Sequence, residues 1–131
     1  MRIITIVLVS IAAATIILPI CYLVAVGIGL HPRCAVTELD SGRSPDGQYA
    51  YTVFQKDCGA TTGFATSVAI RHADQAFDDD EANVALILDG TLPVQIHWPS
   101  NNTLAIEVPR FADIFRQIDK WEDVRISVTR L

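Results

Sequence analysis

The chain has 131 residues, 50% of them hydrophobic, with ten basic and fifteen acidic side chains and a formal charge of −5. That length holds one compact domain with a tail, not two domains with separate cores, and the acidic balance argues against a nucleic-acid partner. The charge is also unevenly spread, because no side chain from Ile3 to Leu30 is charged.

As a helix, residues 3–30 would be about 42 Å long, more than the roughly 30 Å of bilayer hydrocarbon. They are therefore expected to span a membrane as a single helix and to have lipid as their partner. Pro19 removes one backbone donor near the middle, where a bend is expected. Three fates are open to the segment. A cleaved signal peptide has an apolar run of about 7–15 residues, roughly half of what stands here, although Ala25-Val26-Gly27 offers a cleavage site near its far end. A lipoprotein signal would use Cys21, but Ile20 stands where a small residue belongs. An uncleaved signal anchor fits the length best, with Cys21 as a small apolar residue in the span.

Orientation is only weakly encoded, since Arg2 lies on one side and Arg33 and Arg43 on the other. The two-residue N-terminal tail favours an inside N-terminus. The expected location is a bacterial inner or plasma membrane, single-pass, with the rest of the chain on the extracytoplasmic side.

Residues 31–131 make the second domain. Nine of the ten basic residues and all fifteen acidic ones lie there, a formal charge of −6. A surface of that sign stands off anionic headgroups. Period-two alternation dominates and predicts strands with one buried face. The expected strands run over Ala35 to Leu39, Gln48 to Lys56, Ala65 to His72, Val84 to Leu88, Val94 to Trp98, Thr103 to Val108 and Val124 to Arg130. Val84 to Leu88 is continuously apolar and reads as a central strand covered on both faces. Phe111, Ile114, Phe115 and Ile118 fall at i, i+3, i+4 and i+7, which predicts a short helix laid on the sheet. The expected fold is mainly β: an antiparallel six- or seven-stranded sheet or small sandwich with one short helix, preceded by the transmembrane helix.

Ser44-Pro45-Asp46-Gly47-Gln48-Tyr49 is a turn that opens a strand, with Pro presetting φ, Asp accepting local backbone bonds and Gly taking positive φ. Pro99-Ser100-Asn101-Asn102-Thr103 reads as a degenerate copy. The motif resembles the strand starts of TolB-type and WD-like propeller blades, but a closed propeller needs several blades of about 40 residues, more than this domain can supply. Together with Cys58-Gly59-Ala60-Thr61-Thr62-Gly63-Phe64 it also resembles small, poorly characterised bacterial envelope proteins that carry an N-terminal hydrophobic segment. That resemblance implies one exported β domain and brings no activity with it.

Cys34 and Cys58 are the only cysteines beyond the span, and an even pair in an exported domain reads most simply as a disulfide. Two free thiols, or a nucleophile with His72 or His97 as base, are the alternatives, and the spacing matches no cysteine-hydrolase signature. The loop with Gly59, Thr61, Thr62 and Phe64 is either a tight connection or a recognition loop. Asp78, Asp79, Asp80 and Glu81 form an acidic patch. They lack the alternate spacing and turn glycine of a calcium loop, so a solvated turn is expected. His31, His72 and His97 are dispersed, and no metal site or cofactor is expected. Asn101-Asn102-Thr103 matches a glycosylation acceptor, which has meaning only in a eukaryotic secretory pathway.

The chain thus reads as a non-enzymatic, membrane-anchored binding module with a protein partner in the envelope. Its candidate contact surface is the 59–64 loop with the acidic patch. An accessory subunit of a membrane complex is the alternative, and a toxin-neutralising immunity protein a further one.

Overall fold

A computed structural model of the chain describes residues 1–27, 34–59 and 62–131. It divides into two compact units, Met1–Arg33 and Cys34–Leu131. In the first, helix α1 spans Arg2–Gly27 and runs on through Pro19. At 1.5 Å per residue it is about 39 Å long, long and apolar enough to cross a bilayer. None of its side chains is buried. The hydroxyls of Thr5, Ser10 and Thr15 donate back to the carbonyls of Met1, Ile6 and Ala12. The serine and threonine hydroxyls of the helix are thus satisfied within it, which an apolar surrounding requires.

Among the described residues of the second unit, nine strands form two sheets. They are β1 Ala35–Arg43, β2 Tyr49–Asp57, β3 Ala65–His72, β4 Val84–Asp89, β5 Gln95–Ser100, β6 Thr103–Val108, β7 Ile114–Gln117, β8 Lys120–Trp121 and β9 Val124–Arg130, with one 3-10 turn at Glu81–Asn83. One sheet has the order β1-β2-β3-β4-β7 and the other β5-β6-β9-β8. All pairings are antiparallel except β6 with β9. The fold is therefore mainly β, as expected, though with more strands than the six or seven anticipated, and its one short helical turn is not the helix expected over 111–118.

Alternation explains the core. On β2, Tyr49, Tyr51 and Val53 face inward, as do Val68 and Ile70 on β3 and Leu86 and Leu88 on β4. Leu104, Ile106 and Val108 of β6 with Val124 and Ile126 of β9 meet them from the second sheet, and all of these are buried. The opposite face of the five-stranded sheet is not bare: Phe54, Ala69 and Val84 form a second buried cluster under Phe77 and Ile87. β4 is thus covered on both sides, which is why Val84 to Leu88 carries no polar alternation.

The expected helix over 111–118 is a correction. The chain there extends and pairs as β7 with β4, Ile114 opposite Leu88, Arg116 opposite Ile87 and Gln117 opposite Leu86. The Ile118 and Asp113 backbones continue the ladder, bonding Ala85 O and Asp89 N at 3.0 and 2.9 Å. A helix would leave these β4 groups unpaired inside the protein, at a cost larger than the propensity of a helix of about ten residues could offset. Two of the four residues of the supposed stripe, Phe111 and Phe115, are 76% and 68% exposed. Phe115 falls where the register slips between Ile87 and Leu88, so the bulge turns it outward.

The Ser44–Tyr49 turn is closed by its own side chains. The Ser44 amide donates to Tyr49 O at 2.9 Å and the Tyr49 amide to Ser44 Oγ at 3.0 Å. Asp46 Oδ1 accepts from Ser44 Oγ at 2.7 Å and from the Gln48 amide at 3.1 Å, while Gly47 sits at φ 73°. The second copy keeps only part of this, with Ser100 Oγ donating to Asn102 Oδ1 at 3.1 Å. Among the described non-glycine residues only Glu122 has positive φ, so Asn102 does not reproduce the backbone of Gly47.

Candidate functional site

The β1–β2 register builds one end of the site. Ala35 pairs with Asp57, so Cys34 and Cys58 follow each other across the ladder, their Cα atoms 4.1 Å apart and their sulfurs at disulfide distance. The chain then turns: Asp57 Oδ1 accepts from the Gly59 amide at 3.0 Å, Gly59 takes φ 108°, and its carbonyl accepts from the Thr62 amide at 3.1 Å. Gly59, Thr62 and Phe64 are exposed. Thr61 lies outside the described residues. The Gly90 amide donates to Phe64 O at 2.8 Å, and Thr66 Oγ1 donates to Gly90 O at 2.8 Å, so the far end of the loop is pinned to the turn after β4.

The acidic patch is the other wall. Its carboxylates do three different things. Asp78 Oδ1 accepts from the Asp80 amide at 3.2 Å, and Asp80 Oδ1 from the Ala82 amide at 3.0 Å, capping the 3-10 turn. Asp79 Oδ2 lies 2.9 Å from Lys56 Nζ, and Glu81 Oε2 lies 3.9 Å from Arg116 Nη1. The hydrogen bond from Lys56, with its charge, holds the Asp79 carboxyl below the ordinary aspartate range. Capping and pairing turn these groups toward different partners instead of toward one cation. Among the described residues, no group of three or more His, Cys, Asp or Glu side chains is placed to hold a metal ion.

Between the walls, on the outer face of the five-stranded sheet, lies a groove of about 250 Å³. Phe54, Val84, Ile87 and Ala65 give it an apolar floor; Cys58, Thr62 and Gly63 border it on one side and Lys56, Asp79 and Glu81 on the other. Phe77 packs against Phe54 with ring centroids 5.2 Å apart and closes the apolar cluster beneath. Two loops some twenty residues apart in sequence, each singled out by composition, thus border one concavity. Sequence reading missed its floor, its cation Lys56, and Arg116, which lies 3.9 Å from Glu81. The available signal was β2 itself: Ala50 and Phe54 make its second face apolar too, which calls for cover on both sides.

A polar basin of about 600 Å³ lies elsewhere, lined by Asn102, Thr103, Asp119, Lys120, Asp123 and Arg125. It is larger, but charges of both signs line it and neither candidate loop borders it. A concavity with an apolar floor and a few polar groups at its rim is the better binding candidate.

His31 lies outside the described residues, and His72 and His97 are elsewhere. His72 pairs with Tyr49 at the opposite end of β2 from Cys58, about 30 Å away at 3.3 Å per residue. Its Nε2 lies 2.9 Å from Glu122 Oε2, and its ring packs with Tyr49 and Trp121 at 5.4 and 5.5 Å. His97 is on β5, in the other sheet. Neither can serve Cys58 as a base.

No protein-family model, curated protein or solved structure matches the chain.

Proposed function

We propose that the chain is a membrane-anchored binding module. Helix α1 tethers it with the N-terminus inside, residues 34–131 stand on the extracytoplasmic side, and the outer groove of the five-stranded sheet engages a protein partner of the cell envelope. The observation that carries this reading is the convergence of Thr62 and Gly63 with Asp79 and Glu81 on one apolar-floored concavity. A solvated sheet face has no need of such a floor, and exposed apolar concavities mark interaction sites. Supporting it further, Cys34 and Cys58 are placed to close a loop beside the groove. On the oxidising side of a membrane that bond forms and persists, stabilising the domain by about 3.5 kcal/mol on the chain-entropy estimate.

Site-specific photocrosslinking of the full chain in its native membrane tests the reading. A crosslinker at Thr62 or Glu81, on the groove rim, should yield one discrete adduct, and one at Thr129, an exposed β9 position, should not. Equal labelling from all three positions, or none, would count against a groove-centred module.

A further inference from the structure

The groove has a size and a charge that together describe an occupant. Its volume of about 250 Å³ falls below the roughly 300–1,000 Å³ of pockets that enclose a small-molecule ligand, yet suffices for one large side chain. Interfaces concentrate their energy in such anchors, single aromatic or aliphatic side chains seated in a pocket. The floor, Phe54 with Ile87, offers an apolar seat. The charged rim is Asp79 and Glu81 against the single cation Lys56, on a domain of formal charge −6. Of the two ion pairs, Glu81–Arg116 is the looser at 3.9 Å, and the Glu81 side chain is 85% exposed, free to meet an incoming cation.

We infer that the groove takes an extended peptide segment of a protein partner whose anchor is one aromatic side chain flanked by Lys or Arg, the ring seated on Phe54 and Ile87 and the flanking cations meeting Asp79 and Glu81. This rests on the binding-module reading and adds the chemistry of the partner. Charge complementarity of this kind steers encounter and excludes acidic segments more than it adds affinity, so the discrimination falls steeply with salt.

The test uses the full chain in nanodiscs of zwitterionic lipid and three capped tripeptides: Lys-Phe-Lys, Glu-Phe-Glu and Lys-Ala-Lys. At low salt, Lys-Phe-Lys should bind about tenfold more tightly than either of the others, two rim contacts and a seated ring each being worth such a factor. Ala65 lies opposite Lys56 on the groove face, so Ala65→Phe should fill the groove and abolish Lys-Phe-Lys binding. The double change Asp79→Lys with Glu81→Lys should reverse the preference toward Glu-Phe-Glu, a cooperative melt, lowered only by the loss of two surface ion pairs, reporting an intact fold. Equal binding of Lys-Phe-Lys and Glu-Phe-Glu, no binding of any tripeptide, or binding that survives Ala65→Phe would overturn the inference. If the tripeptides fail while Ala65→Phe still abolishes the native-membrane adduct at Thr62, only the partner's chemistry is wrong; if that adduct is absent as well, the binding-module reading falls with it.

Discussion

Lys56 Nζ and Asp79 Oδ2, 2.9 Å apart, join the end of β2 to the acidic loop along one side of the groove. The pair ties a segment with no strand partners of its own to the sheet. Both side chains are over a third exposed or close to it, at 35% and 38%, so the stabilisation is that of a surface pair, under about 1 kcal/mol. Because Lys56 lowers the Asp79 pKa, the contribution is present above the ordinary aspartate pKa and is lost as pH falls through the lowered value. Asp79→Asn should therefore cost less than about 1 kcal/mol at neutral pH and nothing at strongly acidic pH. Urea melts of both proteins across that range check it.

Tyr51 should give the fold an alkaline limit. Its ring lies over Gly42, where an added Cβ would come 2.7 Å from Cε1, and its hydroxyl donates to Asp40 Oδ2 at 3.1 Å. Burial foremost, then the Asp40 charge and this hydrogen bond, raise its pKa. Stability from a raised pKa is complete below the unfolded tyrosine value of about 10 and declines as pH climbs through the folded one. Tyr51→Phe should lose about 1 kcal/mol at neutral pH and show a shallower alkaline decline, measurable by denaturation at stepped pH.

Gly42→Val should be more damaging than either change. The branched side chain would displace a ring that is only 7% exposed, and overpacking of this sort costs about 1–3 kcal/mol. Gly42→Val combined with Tyr51→Ala should recover part of the loss relative to Tyr51→Ala alone, since the obstructing ring is gone. A thermal-melt double-mutant cycle reads the coupling.

At the Ser44–Tyr49 turn, Gly47→Ala places a Cβ at φ 73° and should cost about 1 kcal/mol. Ser44→Ala should cost about 1–2 kcal/mol, because the buried hydroxyl serves both Asp46 and the Tyr49 amide. The matching change at the second turn, Ser100→Ala, should cost less than about 0.5 kcal/mol, its one bond being exposed. Chemical denaturation of the three variants ranks them.

The edge strand β7 makes a prediction opposite to that of a helix laid on the sheet. Phe111→Ser and Phe115→Ser should each change stability by less than about 0.5 kcal/mol, since both rings face water. Ile114→Ser, half-buried against the core, should cost more. A loss of several kcal/mol at either phenylalanine would restore the helical stripe.

Strands were legible where one face is wet and the other dry. β3, β6 and β9 begin and end as their alternation indicates, because a register slip there would turn Val68, Leu104 or Ile126 to solvent. β1 was read too short: a bulge between Glu38 and Asp40 breaks its pattern, yet pairing resumes through Arg43. Residues 111–118 misled because four apolar side chains matched a helical period by coincidence, while the decisive fact, that β4 needed a partner, is a property of the assembled sheet. The same limit applies to the groove. Both its loops stand out in composition, but Lys56, Arg116 and the Phe54–Ile87 floor meet only through the long-range pairing of β2, β3, β4 and β7.

Everything proposed for the groove presumes a folded domain tethered on the oxidising side of a membrane. Mass analysis of the full chain, extracted from the membrane fraction and alkylated without reductant, tests this most directly. One alkylated thiol, Cys21, is the expected result. Three alkylated thiols on a chain recovered in the soluble cytosolic fraction with its N-terminus intact would contradict it.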